Sequence, residues 1–220
     1  MNRTISAKRS IRIPDYTLGE ELFNSISHGI GAALSIAGMV LMIIRAKGGL
    51  AVSSVTLFGA AAVLTYTISC IYHALSPRLK GKKVLRVLDH CNVYLLVACT
   101  YIPAALLGVG GALGWALFGL VCAVSATGIT LTAIDVDRFT VVAVLCHLAN
   151  GWSILFGLRR LFETCGRTGT LFLFLGGLAY SLGAALYGIG RKRRYMHCVF
   201  HLFCMLGTFL HFWGIYQYLL

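Results

Sequence analysis

Charge is scarce in this sequence: only 12% of its 220 residues are Asp, Glu, Lys or Arg, and Asp and Glu together number 7. Ordinary globular domains carry about 25% charged residues. Proline is nearly absent at 3, and no C-x-x-C, H-E-x-x-H, G-x-S-x-G or phosphate-cradling glycine motif occurs. These absences leave no familiar soluble catalytic motif, and seven of the eight cysteines lie inside apolar runs, so no disulfide framework is implied. What is present instead is apolar sequence, at 58% of the chain. Uncharged runs cover Leu22–Ile44, Gly48–Pro77, His90–Ile134, Phe139–Leu158, Thr168–Gly190 and Tyr195–Leu220. A membrane-spanning helix needs about 20 mostly apolar residues, so each run is long enough to cross once and the longest twice.

The expected fold is therefore an all-α membrane protein of seven transmembrane helices, because continuous runs of this length exclude the alternating strands of a barrel. The spans are placed at about residues 22–44, 51–75, 87–107, 112–133, 139–158, 170–190 and 195–218. The long run is divided at Gly108-Val109-Gly110-Gly111, where a helix is poorly supported. Residues 1–19 read as a basic cytoplasmic tail with Arg3, Lys8, Arg9 and Arg12, without a removable signal peptide, and 20–220 as one transmembrane domain. The net charge of +12 would suggest nucleic acid in a soluble protein; here the basic residues lie between spans and report topology, so no nucleic-acid partner is expected. The tail and even-numbered loops hold 14 of the 19 Lys and Arg, against 5 on the opposite side. Positive-inside asymmetry puts the N-terminus in the cytoplasm and the C-terminus outside, in a multi-pass protein of the cell inner (plasma) membrane. Of the eight cysteines, Cys165 alone falls in a connection, the segment between the fifth and sixth spans.

Ionisable groups inside a span are costly and mark candidate sites. The first span opens with Glu20, Glu21, Asn24 and His28; the second ends with Ser69 and His73; the third begins with Asp89 and His90; the seventh begins with His197 and His201. Glu20, Asn24 and His28 follow in steps of four, as do Ser69 with His73 and His197 with His201, so each set shares a helix face. With the N-terminus inside, all four clusters lie at the cytoplasmic level. At 1.5 Å per residue His73 lies about 7 Å in from Arg78, His201 about 10 Å in from Arg194, and Asp89 about 4–5 Å in from Arg86. Two histidines one turn apart grip one ion, and a third from another helix completes the three-ligand set of a catalytic zinc. His73, His197 and His201 are the candidate ligands, with Asp89 and Ser69 holding the water; imidazole also suits iron, copper or nickel. Glu20 or Glu21 could instead serve the helix N-terminus, and Asn24 interhelical hydrogen bonding. His28 is read as packing first, with contact to the site as its rival. His147, Asn150 and His211 are read as polar packing, and His90 as facing away from Asp89.

Four stretches resemble the hemolysin III family: Glu20 to Gly31 with its Asn24 and His28, Ser69-Cys70-Ile71-Tyr72-His73, Leu88 to Leu96 followed by Thr100-Tyr101-Ile102-Pro103, and His197-Cys198-Val199-Phe200-His201. The resemblance runs from about Tyr16 to Tyr218, while Cys99 and Ile102 depart from the glycine and threonine expected there. That family is grouped with the progestin and adipoQ receptors and distantly with alkaline ceramidases. The resemblance implies a seven-helix fold with a cytoplasmic N-terminus and a zinc held by His73, His197 and His201, with Ser69 and Asp89 beside its water. The expected function is a zinc-dependent hydrolase of a membrane lipid amide or ester. The alternatives are a non-enzymatic regulator or receptor with a structural zinc, and the cytolysin or channel that the family name implies.

Overall fold

A computed structural model describes residues 11–190 and 193–220. Arg3, Lys8, Arg9, Arg191 and Lys192, which contribute to the expected charge asymmetry, lie outside the described residues. Among those residues all regular structure is helical and there is no strand: α1 (Leu18–Arg45), α2 (Gly49–Ala74), α3 (Lys80–Tyr101) continuing into a π-helical stretch (Ile102–Val109), α4 (Gly111–Ile134), α5 (Thr140–Trp152), a 3-10 turn (Ser153–Gly157), α6 (Leu158–Gly190) and α7 (Met196–Tyr218).

Local chemistry sets the boundaries. Thr17 caps α1 reciprocally: its hydroxyl accepts from the Glu20 amide, and the Glu20 carboxylate accepts from the Thr17 amide at 2.8 Å, satisfying two amide groups that the helix start leaves open. The π-helical stretch begins where Pro103 interrupts the regular ladder. It ends at Gly110 and Gly111, both with positive φ (67° and 58°), so the chain turns where the glycine cluster predicts. Close helix approach also depends on glycine. A Cβ on Gly114 would stand 2.2 Å from the Ala105 carbonyl oxygen.

The bundle is turned inside out relative to a soluble protein. Ile26, Ile30, Leu34, Val141, Leu145 and Phe156 are exposed, while Asn24, Ser54, Ser69, His73 and His201 are buried. An apolar outer surface of this extent suits lipid and not water.

Six of the described segments, not the seven expected, are long and apolar enough to cross a bilayer. The difference lies in Thr140–Gly188, a single stretch of 49 residues in place of spans at 139–158 and 170–190 separated by a loop. Arg159, Arg160 and Glu163 point to a loop by their charge, but they sit on the exposed surface of α6, where Arg159 pairs with Glu163 at 2.9 Å. Helical spacing carries these charges without breaking the helix. The break comes at Gly166, whose φ of 64° and ψ of −175° are not helical. Cys165 is correspondingly buried in α6, its thiol donating to the Leu161 carbonyl, rather than standing in a connection. A second boundary also moves: α3 starts at Lys80, so Lys82 and Arg86 are helix residues and both are buried.

The two ends of the bundle are distinct. At one, the chain before α1 meets the α4–α5 connection through the Arg12 amide and Asp137, and Glu20 accepts from the Tyr195 amide at 2.6 Å. At the other, Leu219 packs at Gly108, Tyr218 at Gly169, and Arg45 lies over the Tyr216 ring at 4.8 Å. Both ends of the 49-residue segment therefore lie at the N-terminal end of the bundle, and its Gly166 region lies at the opposite end.

Candidate metal centre

The polar positions of α1, α2 and α7 converge near the N-terminal end. His73, His197 and His201 each offer a ring nitrogen, and these atoms lie within 4.8 Å of one another. The Nε2 atoms of His197 and His201, one turn apart on α7, are 3.0 Å apart. Ligands of a tetrahedral zinc with bonds of about 2.0–2.1 Å stand about 3.4 Å apart, so the α7 pair, at hydrogen-bonding distance, lies within about half an ångström of ligand spacing.

The environment of His73 completes the fit. Its Nδ1 lies 2.6 Å from Glu21 Oε2, and its Nε2 is buried with no partner among the described residues. A carboxylate on one imidazole nitrogen fixes the tautomer and turns the other toward a metal. Glu21 in turn accepts from Lys82 Nζ at 2.5 Å, and the same ammonium donates to the Leu75 carbonyl at 2.8 Å and lies 5.1 Å from the Tyr72 ring centroid. The Lys82 side chain has no solvent exposure. The two glutamates thus divide: Glu20 caps α1 and holds α7 through Tyr195, and Glu21 holds His73.

Other rings enclose the cluster. His28 stacks on His201 with centroids 3.7 Å apart and planes 8° apart, so it packs directly against the cluster. Tyr16 stacks on His197 at 5.0 Å, and burial pushes its phenol pKa well up, keeping it neutral. Asn24, on the same face of α1 as His28, is fully buried with neither side-chain polar atom paired among the described residues. Ser69 sits one turn before His73, buried, its hydroxyl without a partner there. Asp89 is not among the three clustered donors. It lines a cavity of about 140 Å³ whose wall also contains His90, Tyr94, His197 and Cys204. His90 turns one nitrogen to the Arg86 carbonyl at 2.8 Å, yet lines that same cavity. His147 stacks on Tyr94 at 3.8 Å, Asn150 donates to Ser125, and His211 meets the Leu173 carbonyl, all outside the three-histidine group.

Sequence reasoning missed Lys82, Tyr16 and Arg86. Lys82 and Arg86 stand in a basic stretch that reads as a loop, and Tyr16 precedes the first span. Arg86 donates to Asp137 at 2.7 Å. Burial pushes the Asp137 carboxyl up, but the hydrogen bond and charge of Arg86 outweigh it and hold the pKa below the ordinary carboxylate range.

The fold and this cluster define a multi-pass α-helical membrane protein with a three-histidine cluster at one end, His73 and His201 buried and His197 half-buried. Sequence comparison gives the family: the model of Haemolysin-III related proteins matches residues 16–212, and the chain belongs to that family. It is 35% identical over 204 residues to Hemolysin-3 of Bacillus cereus, covering 91% of this chain and 92% of that protein. It is 34% identical over 206 residues to the Hemolysin-3 homolog of Bacillus subtilis (strain 168), covering 92% and 96%. A more distant similarity, 25% over 232 residues, joins it to the adiponectin receptor protein of Drosophila melanogaster, covering 89% of this chain and 50% of that protein.

Proposed function

We propose that the protein is a zinc-dependent hydrolase of a membrane lipid amide or ester, with His73, His197 and His201 as ligands. The observation that carries this reading is the buried, unpartnered Nε2 of His73, aimed by the Glu21 bond on Nδ1, within reach of the two α7 imidazoles. Zinc held by three imidazoles supplies Lewis acidity, polarising a carbonyl and acidifying water. Glu21 keeps the proton of His73 on Nδ1, and Lys82 balances the carboxylate charge. Asp89, on the cavity wall it shares with His197, takes the role of general base, and the free Ser69 hydroxyl orients the water. The apolar outer surface delivers lipid to the bundle.

The same proposal includes seven crossings, with Thr140–Gly188 crossing twice. Its support is the return of that segment to its starting end, and its length of 49 residues, about 74 Å as helix against a hydrocarbon core of about 30 Å. Lys82, Arg86 and Arg193 lie at the N-terminal end, which the positive-inside rule assigns to the cytoplasm, and the membrane is the cell inner (plasma) membrane.

A non-enzymatic receptor with a structural zinc is the second reading, favoured by the similarity to a protein named as a receptor. The hemolysin names of the Bacillus relatives favour a cytolysin or channel. Asp89→Asn separates them. The hydrolase loses about 10²-fold in turnover of a lipid library while retaining its zinc. A structural site retains both zinc and physiological output. Ion flux through liposomes carrying the wild-type protein marks the channel. Loss of zinc on Asp89→Asn makes Asp89 a ligand and overturns its assigned role.

A further inference from the structure

Beside the histidine cluster, at the N-terminal end, lies a second cavity of about 440 Å³, lined by Arg12, Arg86, Arg193, Tyr16, Asp137 and His197 among others. Its volume is in the range of small-molecule sites, about 300–1,000 Å³. Arg86 is the notable member. Its residue is 5% exposed, its Nη2 is spent on Asp137, and its Nε and Nη1 are buried with no acceptor among the described residues. A buried guanidinium with unused N–H groups is costly unless an acceptor arrives.

Two of the carboxylates on this wall are committed elsewhere. Asp137 takes Arg86 and the Arg12 amide, and Glu20 takes Thr17 and the Tyr195 amide. Asp15 stands on the same wall but is exposed. The side chains of Arg12 and Arg193, also exposed, form no ion pair among the described residues. An unpaired buried N–H on Arg86, with two further guanidinium groups at the rim, calls for an anionic oxygen ligand. Phosphate meets that requirement, because guanidinium groups match its oxygens in geometry and charge.

We propose that this cavity binds a phosphate group, as a lipid headgroup or as the free anion, with a free N–H of Arg86 donating from within and Arg12 and Arg193 at the rim. The site needs neither metal nor turnover. His197 belongs both to this wall and to the histidine cluster, so, resting on the hydrolase reading, assignment of the site to a headgroup makes the substrate a phosphate-bearing lipid.

The test uses the full chain, delipidated in dodecyl maltoside, which contains no phosphate. Equilibrium dialysis with labelled inorganic phosphate at low ionic strength is expected to show one saturable site per chain. Arg86→Lys keeps a cation opposite Asp137 but lacks the planar fork, and should weaken binding about tenfold or more. Arg12→Gln with Arg193→Gln, both exposed, should leave folding intact and weaken binding about two- to fivefold for each residue. Phosphatidic acid added to the micelles distinguishes the source. Displacement of labelled phosphate at far lower concentration than unlabelled phosphate assigns the site to a headgroup, and weaker displacement assigns it to the free anion. Absence of saturable binding of labelled phosphate overturns the proposal, as does wild-type affinity in the rim double variant or in a folded Arg86→Lys protein. Because binding is read without zinc and without hydrolysis, failure of the hydrolase reading leaves this result untouched.

Discussion

Lys82→Met removes a buried ammonium while nearly preserving side-chain volume, and three interactions go with it. Glu21 loses a partner at 2.5 Å, the Leu75 carbonyl at the end of α2 loses its donor, and the Tyr72 face loses a cation at 5.1 Å. Glu21, 12% exposed in its side chain, is then left with His73 as its remaining charged or polar side-chain partner. Breaking a buried ion pair from one side typically costs about 3–5 kcal/mol, an expected fall in melting temperature of order 10 °C on the scale of a domain this size. Glu21→Gln removes the charge that needs Lys82. The double variant should therefore lose less than the sum of the two singles, with a coupling of about 1–3 kcal/mol. The assay is thermal unfolding of the four proteins in one detergent, with zinc affinity by chelator competition measured in parallel. Because Glu21 orients His73, both single variants should also weaken zinc by about 10–100-fold. Additive stabilities, with zinc affinity unchanged in Lys82→Met, would refute the Lys82–Glu21–His73 chain as a supporting element.

Packing and topology give two further tests. Gly114→Ala forces a methyl against the Ala105 carbonyl and should destabilise by about 1–3 kcal/mol, whereas Gly119→Ala, with nothing within 4 Å of its added carbon, should be near neutral; equal effects in thermal unfolding would contradict the close approach of α4 to the π-helical stretch. Compartment-sensitive reporters fused at the two termini should report opposite sides of the membrane, and reporters on the same side would contradict seven crossings.

Much of this architecture is legible in the sequence, for physical reasons that also explain the exceptions. Long apolar runs have one solution in lipid, so the helices of residues 22–44 and 51–75 reappear as α1 and α2. The i, i+4 spacing of His197 and His201 places both on one face of α7, and three histidines from two helices do gather. Charge misleads in two places. Arg159, Arg160 and Glu163 resemble a loop but ride on the outside of α6, and Lys82 resembles a solvated flank but is buried against Glu21. The first is a local i, i+4 pairing hidden by the density of charge, whereas the second does not follow from local pattern, since Glu21 lies 61 positions from Lys82. The same holds for Tyr16, whose place over His197 depends on how the chain enters α1. Glu20 and Glu21 are adjacent and chemically alike, and only the tertiary packing shows that one caps a helix while the other orients a histidine.

The central claim is one metal ion bound by His73, His197 and His201, and the measurement that tests it most directly is metal content of the purified full chain without a histidine tag. Close to one zinc per chain is expected, falling strongly in His73→Ala, His197→Ala and His201→Ala. A folded wild-type protein that carries no metal and takes up no added zinc would contradict it.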